Sequence, residues 1–236
     1  MSKASLFLIP NLLGADGNVD RSLPVFNHSI INQISHFAVE HIKDARRFLV
    51  KCDLKHKIDS SEFEEINKHS SDESYQRIES WLSQGHDVGI ISDAGCPGIA
   101  DPGSRLVEWA HQNQIKLVPL VGPSSIFLAL MASGMNGQSF VFHGYLEKDN
   151  QQRKSQLKEI ELKSKKQTQI FMETPYRNEA LLKELMNILN PNTELCIAAD
   201  VTLKSEEIIR LPIQQWKKRK IILNKRPAIF LIGQSS

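Results

Sequence analysis

Cysteine is scarce in this 236-residue chain, and what there is does not pair in the sequence. Cys52, Cys96 and Cys196 are far apart and odd in number, with no CxxC among them. A disulfide framework is thereby excluded, and a reducing compartment is expected. Long apolar runs are missing too. The opening run, Leu6-Phe7-Leu8-Ile9, has four residues, too few for a signal-peptide core or a bilayer span. The chain is therefore expected to be cytoplasmic and off the membrane. Charge of one sign is also lacking, since 29 Lys and Arg offset 27 Asp and Glu to a net +2, which removes any global basicity. His36, His41, His69 and His143 build no HxxxH or HExxH spacing, so no metal site is expected. GxGxxG and GxxxxGK[ST] are absent, which argues against the familiar phosphate cradles. What remains, 41% hydrophobic and 24% charged residues, is the composition of a folded domain or two.

Periodicity divides the chain into short strands and helices. Leu6–Ile9, His36–Glu40, Asp87–Ile91 and Ile115–Val121 read as strands. Ile30–Phe37, Lys43–Val50, Asp72–Gln84, Ser104–Asn113 and Ile126–Ser133 read as helices, the third with Asp72 as a candidate cap. Lys51 to Ser71 is polar with weak periodicity and reads as a long surface segment. Further on, Phe140–Phe142, Thr168–Met172, Glu194–Ala199, Ser205–Leu211 and Ala228–Ile232 suggest a second set of strands. Helices are expected over Arg153–Lys163, Pro175–Leu189 and Pro212–Lys218. The alternation in the first half predicts a parallel α/β sheet, and the strand-rich second half a mixed one. The Gly122-Pro123 break puts the boundary between residues 1–121 and 122–236. The Lys217–Lys220 cluster reads as a solvated face.

One loop stands out: Ser92-Asp-Ala-Gly-Cys-Pro-Gly-Ile-Ala-Asp-Pro-Gly103, directly after an apolar strand. Ligands of parallel α/β sheets bind beyond the carboxyl ends of the strands, where this loop lies. Its glycines, Gly95 among them, allow close backbone approach and positive φ, and Pro97 and Pro102 stiffen the path. Asp93 and Asp101 supply carboxylates that suit a cationic ligand, such as a sulfonium bearing an amino group, better than a phosphate. A rigid surface turn is the competing reading of that composition.

The same twelve residues closely resemble the SDAGxPxxxDPG signature of the tetrapyrrole-methylase superfamily. More narrowly, they are similar to the branch that methylates a cytidine ribose 2′-hydroxyl in small-subunit ribosomal RNA. The opening strand with Pro10–Gly14 resembles the family's first loop, and Pro119–Ser125 with Ala129–Gly134 its PxPGPxA…ALxxSG segment. Phe140–Gly144 and Phe171–Arg177 resemble its F-x-x-x-G and FxExxxR segments. The resemblance implies two α/β domains with S-adenosylmethionine in the cleft between them, a homodimer, and small-subunit ribosomal RNA as partner. It implies a cofactor set of Pro10 from the first loop and Asp93, Gly95, Cys96, Pro97, Ile99, Ala100 and Asp101 from the long loop. Ser124, Ser125, Met172, Ala199, Pro227 and Ala228 complete the set from the second half.

The chain also departs from the pattern. Where the ribosomal branch carries AEDTR, it reads Val39-Glu40-His41-Ile42-Lys43, and the HxHN segment is replaced by Asn67-Lys68-His69. The first loop reads Pro10-Asn-Leu-Leu-Gly14 rather than PIGNL. The methyl donor is thus better marked than the acceptor, and a small-molecule acceptor such as a tetrapyrrole, or a silent binding member, stands as the alternative. A ribose hydroxyl needs its proton removed as it attacks, and Glu40 and Asp101 are the candidate catalytic groups, followed by Lys43.

Overall fold

A computed structural model describes residues 4–67 and 69–234; Lys68, within the segment that replaces HxHN, lies outside them. The chain divides into two compact units, Met1–Ser124 and Ser125–Ser236.

The first unit is a parallel sheet with helical layers. In chain order it runs β1 (Ser5–Ile9), α1 (Val19–Ser22), α2 (Val25–Gln33), β2 (His36–Val39), α3 (Ile42–Lys51), a 3₁₀ turn at Lys55–Lys57, β3 (Glu62–Glu65), α4 (Asp72–Ser83), β4 (Val88–Ile91), α5 (Ser104–Gln112) and β5 (Lys116–Pro119). The strands lie in the order β3-β2-β4-β1-β5, every neighbouring pair parallel. Alternate residues of the central strands serve opposite faces. Ala38, Ile90 and Leu6 pack with Ile78, Trp81 and Leu106 on one side. Phe37, Val39, Ile91 and Ile9 pack with Ile31, Phe48 and Leu49 on the other. Gly89 faces that second layer, where an added Cβ would sit 2.5 Å from Ile9 Cδ1.

The stretch from Lys51 to Ser71 is not a surface arm. Leu54 and Ile66 are fully buried, and Glu62–Glu65 forms the edge strand β3 in register with β2. Its Glu-Phe-Glu-Glu sequence hides it: only Phe63 signals a strand, stacking on Phe37 at 5.4 Å, while Glu62 and Glu64 face Arg77 and Glu65 accepts the Ile42 amide. The helix expected over Ile30–Phe37 lies earlier, at Val25–Gln33, because Pro24 starts it. α4 is preceded by Ser71 as N-cap, with Asp72 its first residue.

The second unit comprises α6 (Ser125–Ser133), β6 (Phe140–Tyr145), α7 (Asn150–Lys163), β7 (Thr168–Met172), α8 (Asn178–Ile188), β8 (Glu194–Ala199), β9 (Glu207–Pro212), α9 (Ile213–Trp216) and β10 (Ala228–Ile232). Its sheet, β6-β7-β10-β8-β9, is mixed: β6 and β7 are parallel, and the other pairs antiparallel. Phe171, Phe230, Leu185, Leu157 and Trp216 anchor its core. The Trp216 indole N–H donates to the Leu195 carbonyl at 2.9 Å, so burial leaves no orphan donor. α8 begins at Asn178, three residues later than Pro175, because Pro175–Arg177 form a turn whose Arg177 pairs with Glu173. Lys217 to Lys220 are exposed.

Candidate functional site

Strand register builds the site in the first unit. Val39 of β2 and Ile9 of β1 both lie opposite Ile91 of β4, so the three strands end level. Pro10-Asn11, Glu40-His41 and Ser92-Asp93 therefore emerge side by side from the carboxyl edge of the sheet. Asn11 ties the edge together. Its main chain exchanges bonds with Gly95 at 2.9 and 3.2 Å, and its buried amide donates to the Ser92 and Asp93 carbonyls at 2.9 and 3.2 Å. Nothing in the sequence marks Asn11 as a site residue; the level ends of the parallel strands bring it there.

The long loop is held from within. Asp101 Oδ1 accepts the Gly103 amide at 2.6 Å and the Gly98 amide at 3.2 Å, closing the turn on itself. Gly95 and Gly98 have φ of 69° and 78°, and Ala100, with a side chain to accommodate, has 55°. Pro97 is buried, whereas Ile99 is 55% exposed at the loop's tip. The Cys96 thiol lies 3.5 Å from the Pro123 carbonyl, and burial pushes its pKa up, so it packs rather than reacts. Pro10 is buried against Gly122, where an added Cβ would come within 2.2 Å of Pro10 Cγ.

Three carboxylates border the loop. Glu40 Oε1 accepts the Asp93 amide at 2.9 Å. Burial, reinforced by Asp101 and Asp93 beside it, raises the Glu40 pKa from 4.5 to about 7, against the lowering effect of that amide. Asp101 Oδ2, on the neighbouring side chain that helps raise the Glu40 pKa, is buried with no hydrogen-bond partner. A proton kept on Glu40 is the donor that this oxygen lacks. Asp93 Oδ2 lies 2.6 Å from His41 Nδ1, which raises the imidazole pKa. His41 caps the start of α3, and the next amide, Ile42 N–H, donates to Glu65 Oε1 of β3 at 2.9 Å. His41, Asp44 and Asp93 approach one another closely enough to offer ligands to a cation; Asp44 is held at 2.9 Å by Arg47.

A groove of about 740 Å³ opens beside Asp93, between the loop after β1 and α3. Leu12, Ala15 and Phe48 give it an apolar floor, and Arg46, Arg47 and Lys51 outnumber Asp44 and Asp93 along its walls, Arg47 being paired with Asp44. Lys51 donates to the Ala15 carbonyl, which draws the loop to the helix.

In the second unit the antiparallel ladders gather the remaining expected residues. Met172 ends β7, Ala199 ends β8 opposite Ala228, and Ala228 begins β10 after Pro227. All four therefore occupy one edge of the second sheet, a small apolar set. The Pro227 carbonyl accepts the Asp200 amide at 2.9 Å there. Ser124 closes the first unit and Ser125 opens the second as the first residue of α6.

A parallel sheet with a pinned Gly/Pro/Asp loop at its carboxyl edge, followed by a mixed five-stranded unit, defines a class of two-unit α/β proteins. The fold is shared, at 15% identity and a TM-score of 0.59, with a cobalt precorrin-4 methyltransferase, over 97% of this chain and 94% of that one. It is shared likewise with a uroporphyrin-III-C-methyltransferase from Thermus thermophilus, at 14% identity and a TM-score of 0.57 over 98% and 94%. The tetrapyrrole (corrin/porphyrin) methylases as a family match residues 31–217, and the chain belongs to that family. Among its relatives, the ribosomal RNA small subunit methyltransferase I of Vibrio cholerae is 30% identical over 89% of this chain and 69% of its own length. The Bacillus subtilis protein of the same name is 37% identical over 63% of this chain and 50% of its own. The aligned region is thus between half and about seven tenths of these relatives' length. Among the described residues no helix is long and apolar enough to cross a membrane.

Proposed function

We propose that this protein transfers a methyl group from S-adenosylmethionine to small-subunit ribosomal RNA, at the 2′-hydroxyl of a cytidine ribose. The observation that carries the donor half is the pinned loop with Glu40, Asp93 and Asp101 around it. The carboxylates of Asp93 and Asp101, beside a Glu40 that keeps a proton towards neutral pH, repel phosphate and suit a ligand with a sulfonium and an amino group. The apolar strand ends Met172, Ala199 and Ala228 suit an adenosine. The donor set extends to Pro10, Gly95, Cys96, Pro97, Ile99, Ala100, Ser124, Ser125 and Pro227. The donor, when bound, supplies an electrophilic methyl group. What the chain supplies is position, an acidic surround and a place for a proton. Glu40 and Asp101 act at the donor loop: Glu40, with its raised pKa, can keep a proton beside it, and Asp101 fixes its shape through two amides.

The acceptor half rests on the relatives named as ribosomal RNA methyltransferases and on the groove beside Asp93. Its Arg46, Arg47 and Lys51 suit a phosphate backbone, and its apolar floor suits a base or sugar. We place the protein in the cytoplasm, where ribosomal subunits are found, and as a homodimer. The test is incubation with methyl-labelled donor and, in parallel, small ribosomal subunits, naked RNA and tetrapyrrole precursors. Label in cytidine 2′-O-methyl is the expected result. Label in a tetrapyrrole overturns the acceptor, donor binding without label anywhere overturns the activity, and no donor binding overturns the reading as a whole.

A further inference from the structure

We propose that His41, oriented by Asp93, is the base that takes the proton from the acceptor hydroxyl, an assignment that rests on the methyl-transfer reading above. The pair stands where β2 and β4 end level, one residue beyond Glu40 and at the first turn of the donor loop. Asp93 Oδ2 at 2.6 Å from Nδ1 holds the neutral ring as the tautomer with its proton on Nδ1. The lone pair of Nε2 is then left for a proton, and among the described residues Nε2 has no partner. The His41 side chain is 56% exposed, so it can meet a hydroxyl carried by a macromolecule. Glu40 is placed differently: half-buried, with Oε1 committed to the Asp93 amide and its carboxyl beside Asp101. It acts through Asp93, bracing from the main chain the residue that orients His41. Asp93 also lines the groove, which puts the pair at the edge of the surface where the acceptor is proposed to lie.

The step balances. The acceptor oxygen bonds to the methyl carbon as the carbon–sulfur bond of the sulfonium breaks, and the O–H proton passes to Nε2. A methyl ether, a thioether and an imidazolium result, and the imidazolium returns its proton to water. Asp93, Glu65 at the end of β3 and Asp44 in the first turn of α3 all favour the imidazolium, Asp93 most. Asp44 is partly offset by Arg47, and Glu65 is engaged by the Ile42 amide. Because these charges raise the His41 pKa, the basic form is reached only above the ordinary histidine value, and the rate must climb with pH through that raised value.

The experiment has two readouts on the full chain. Side-chain ¹⁵N NMR, assigned by the signal lost in His41→Ala, is expected to show the Nδ1–H tautomer with a titration above that of an ordinary histidine, moving down in Asp93→Asn. Single-turnover methylation of small ribosomal subunits at saturating donor is expected to fall about 100-fold or more in His41→Ala, a general base being worth 10²–10⁴. Donor affinity should stay within about twofold, the pH limb should vanish, and added imidazole should restore part of the rate. A His41→Ala rate within about threefold of wild type, an unchanged pH limb, or a titration indifferent to Asp93→Asn overturns this proposal alone. Wild-type protein that labels no substrate overturns the methyl-transfer reading and this proposal with it.

Discussion

Glu40→Gln should stabilise the protein in mild alkali and leave it unchanged in acid. The folded state holds this carboxyl at about 7 where an unfolded chain holds it near 4.5. Below 4.5 both states are protonated and the group is neutral to stability. Between the two values the unfolded chain has released a proton that the folded one retains, so stability falls as pH rises, and the loss is complete above about 7. At about 1.4 kcal/mol per tenfold the difference is roughly 3 kcal/mol, and partial exposure of the side chain brings it to about 2 kcal/mol. Glutamine imitates the protonated form. Its carbonyl can accept the Asp93 amide as Oε1 does, and its NH₂ can donate to Asp101, whose Oδ2 is otherwise unpaired. Urea unfolding of wild type and variant at pH 4 and pH 8.5 measures this directly. The curves should coincide in acid, with the variant ahead by about 2 kcal/mol in alkali. An equal offset at both pH values, or a variant weaker at pH 8.5, would refute the account of Glu40 as a carboxyl forced to keep its proton.

Other perturbations follow from single contacts. Asp101→Ala releases the Gly98 and Gly103 amides together, so calorimetry should show donor affinity falling at least about tenfold, with about 2 kcal/mol of stability lost; unchanged binding would remove Asp101 from the donor site. Gly122→Ala drives a methyl into Pro10, at 2.2 Å from Cγ, and is expected to cost about 1–3 kcal/mol in denaturant titration while displacing the first loop. Arg226→Ala strands Asp200, whose side chain is 8% exposed, and should cost about 3 kcal/mol, most of it recovered by adding Asp200→Asn. Failure of that recovery would mean that the arginine acts mainly through its other partners, the Glu207 carboxylate and the Ser205 and Ile222 carbonyls.

The sheets were legible because their central strands are runs of aliphatic residues flanked by Gly and Pro, and such runs have few other places to go. Strand β3 was not, because an edge strand buries one face at most and Glu62, Glu64 and Glu65 carry none of the apolar signal. Pro24 and Pro175 show the same limit at helix ends. Pro24 starts a helix ahead of the expected Ile30, whereas Pro175 opens a turn that delays its helix to Asn178, so what the chain does at each proline depends on the turn beside it. At the site, composition singles out the long loop, since Gly, Pro and Asp in that density are rare next to a buried strand. His41 and Asn11 carry no such mark. They join the loop only because three parallel strands end level, and register of that kind is a property of the sheet.

Ala100, held at a φ of 55° within a loop that Asp101 fastens at two amides, has a consequence for recognition. A side chain in the left-handed region costs about 1–2 kcal/mol, and it is accepted here as part of folding. The loop's freedom is thus surrendered before any ligand arrives. A molecule that meets it finds its partner already shaped, loses little entropy in ordering it, and can bind tightly through few contacts. The same rigidity makes the loop selective by outline, because it cannot bend to a ligand of different shape, and its carboxylates add discrimination by charge.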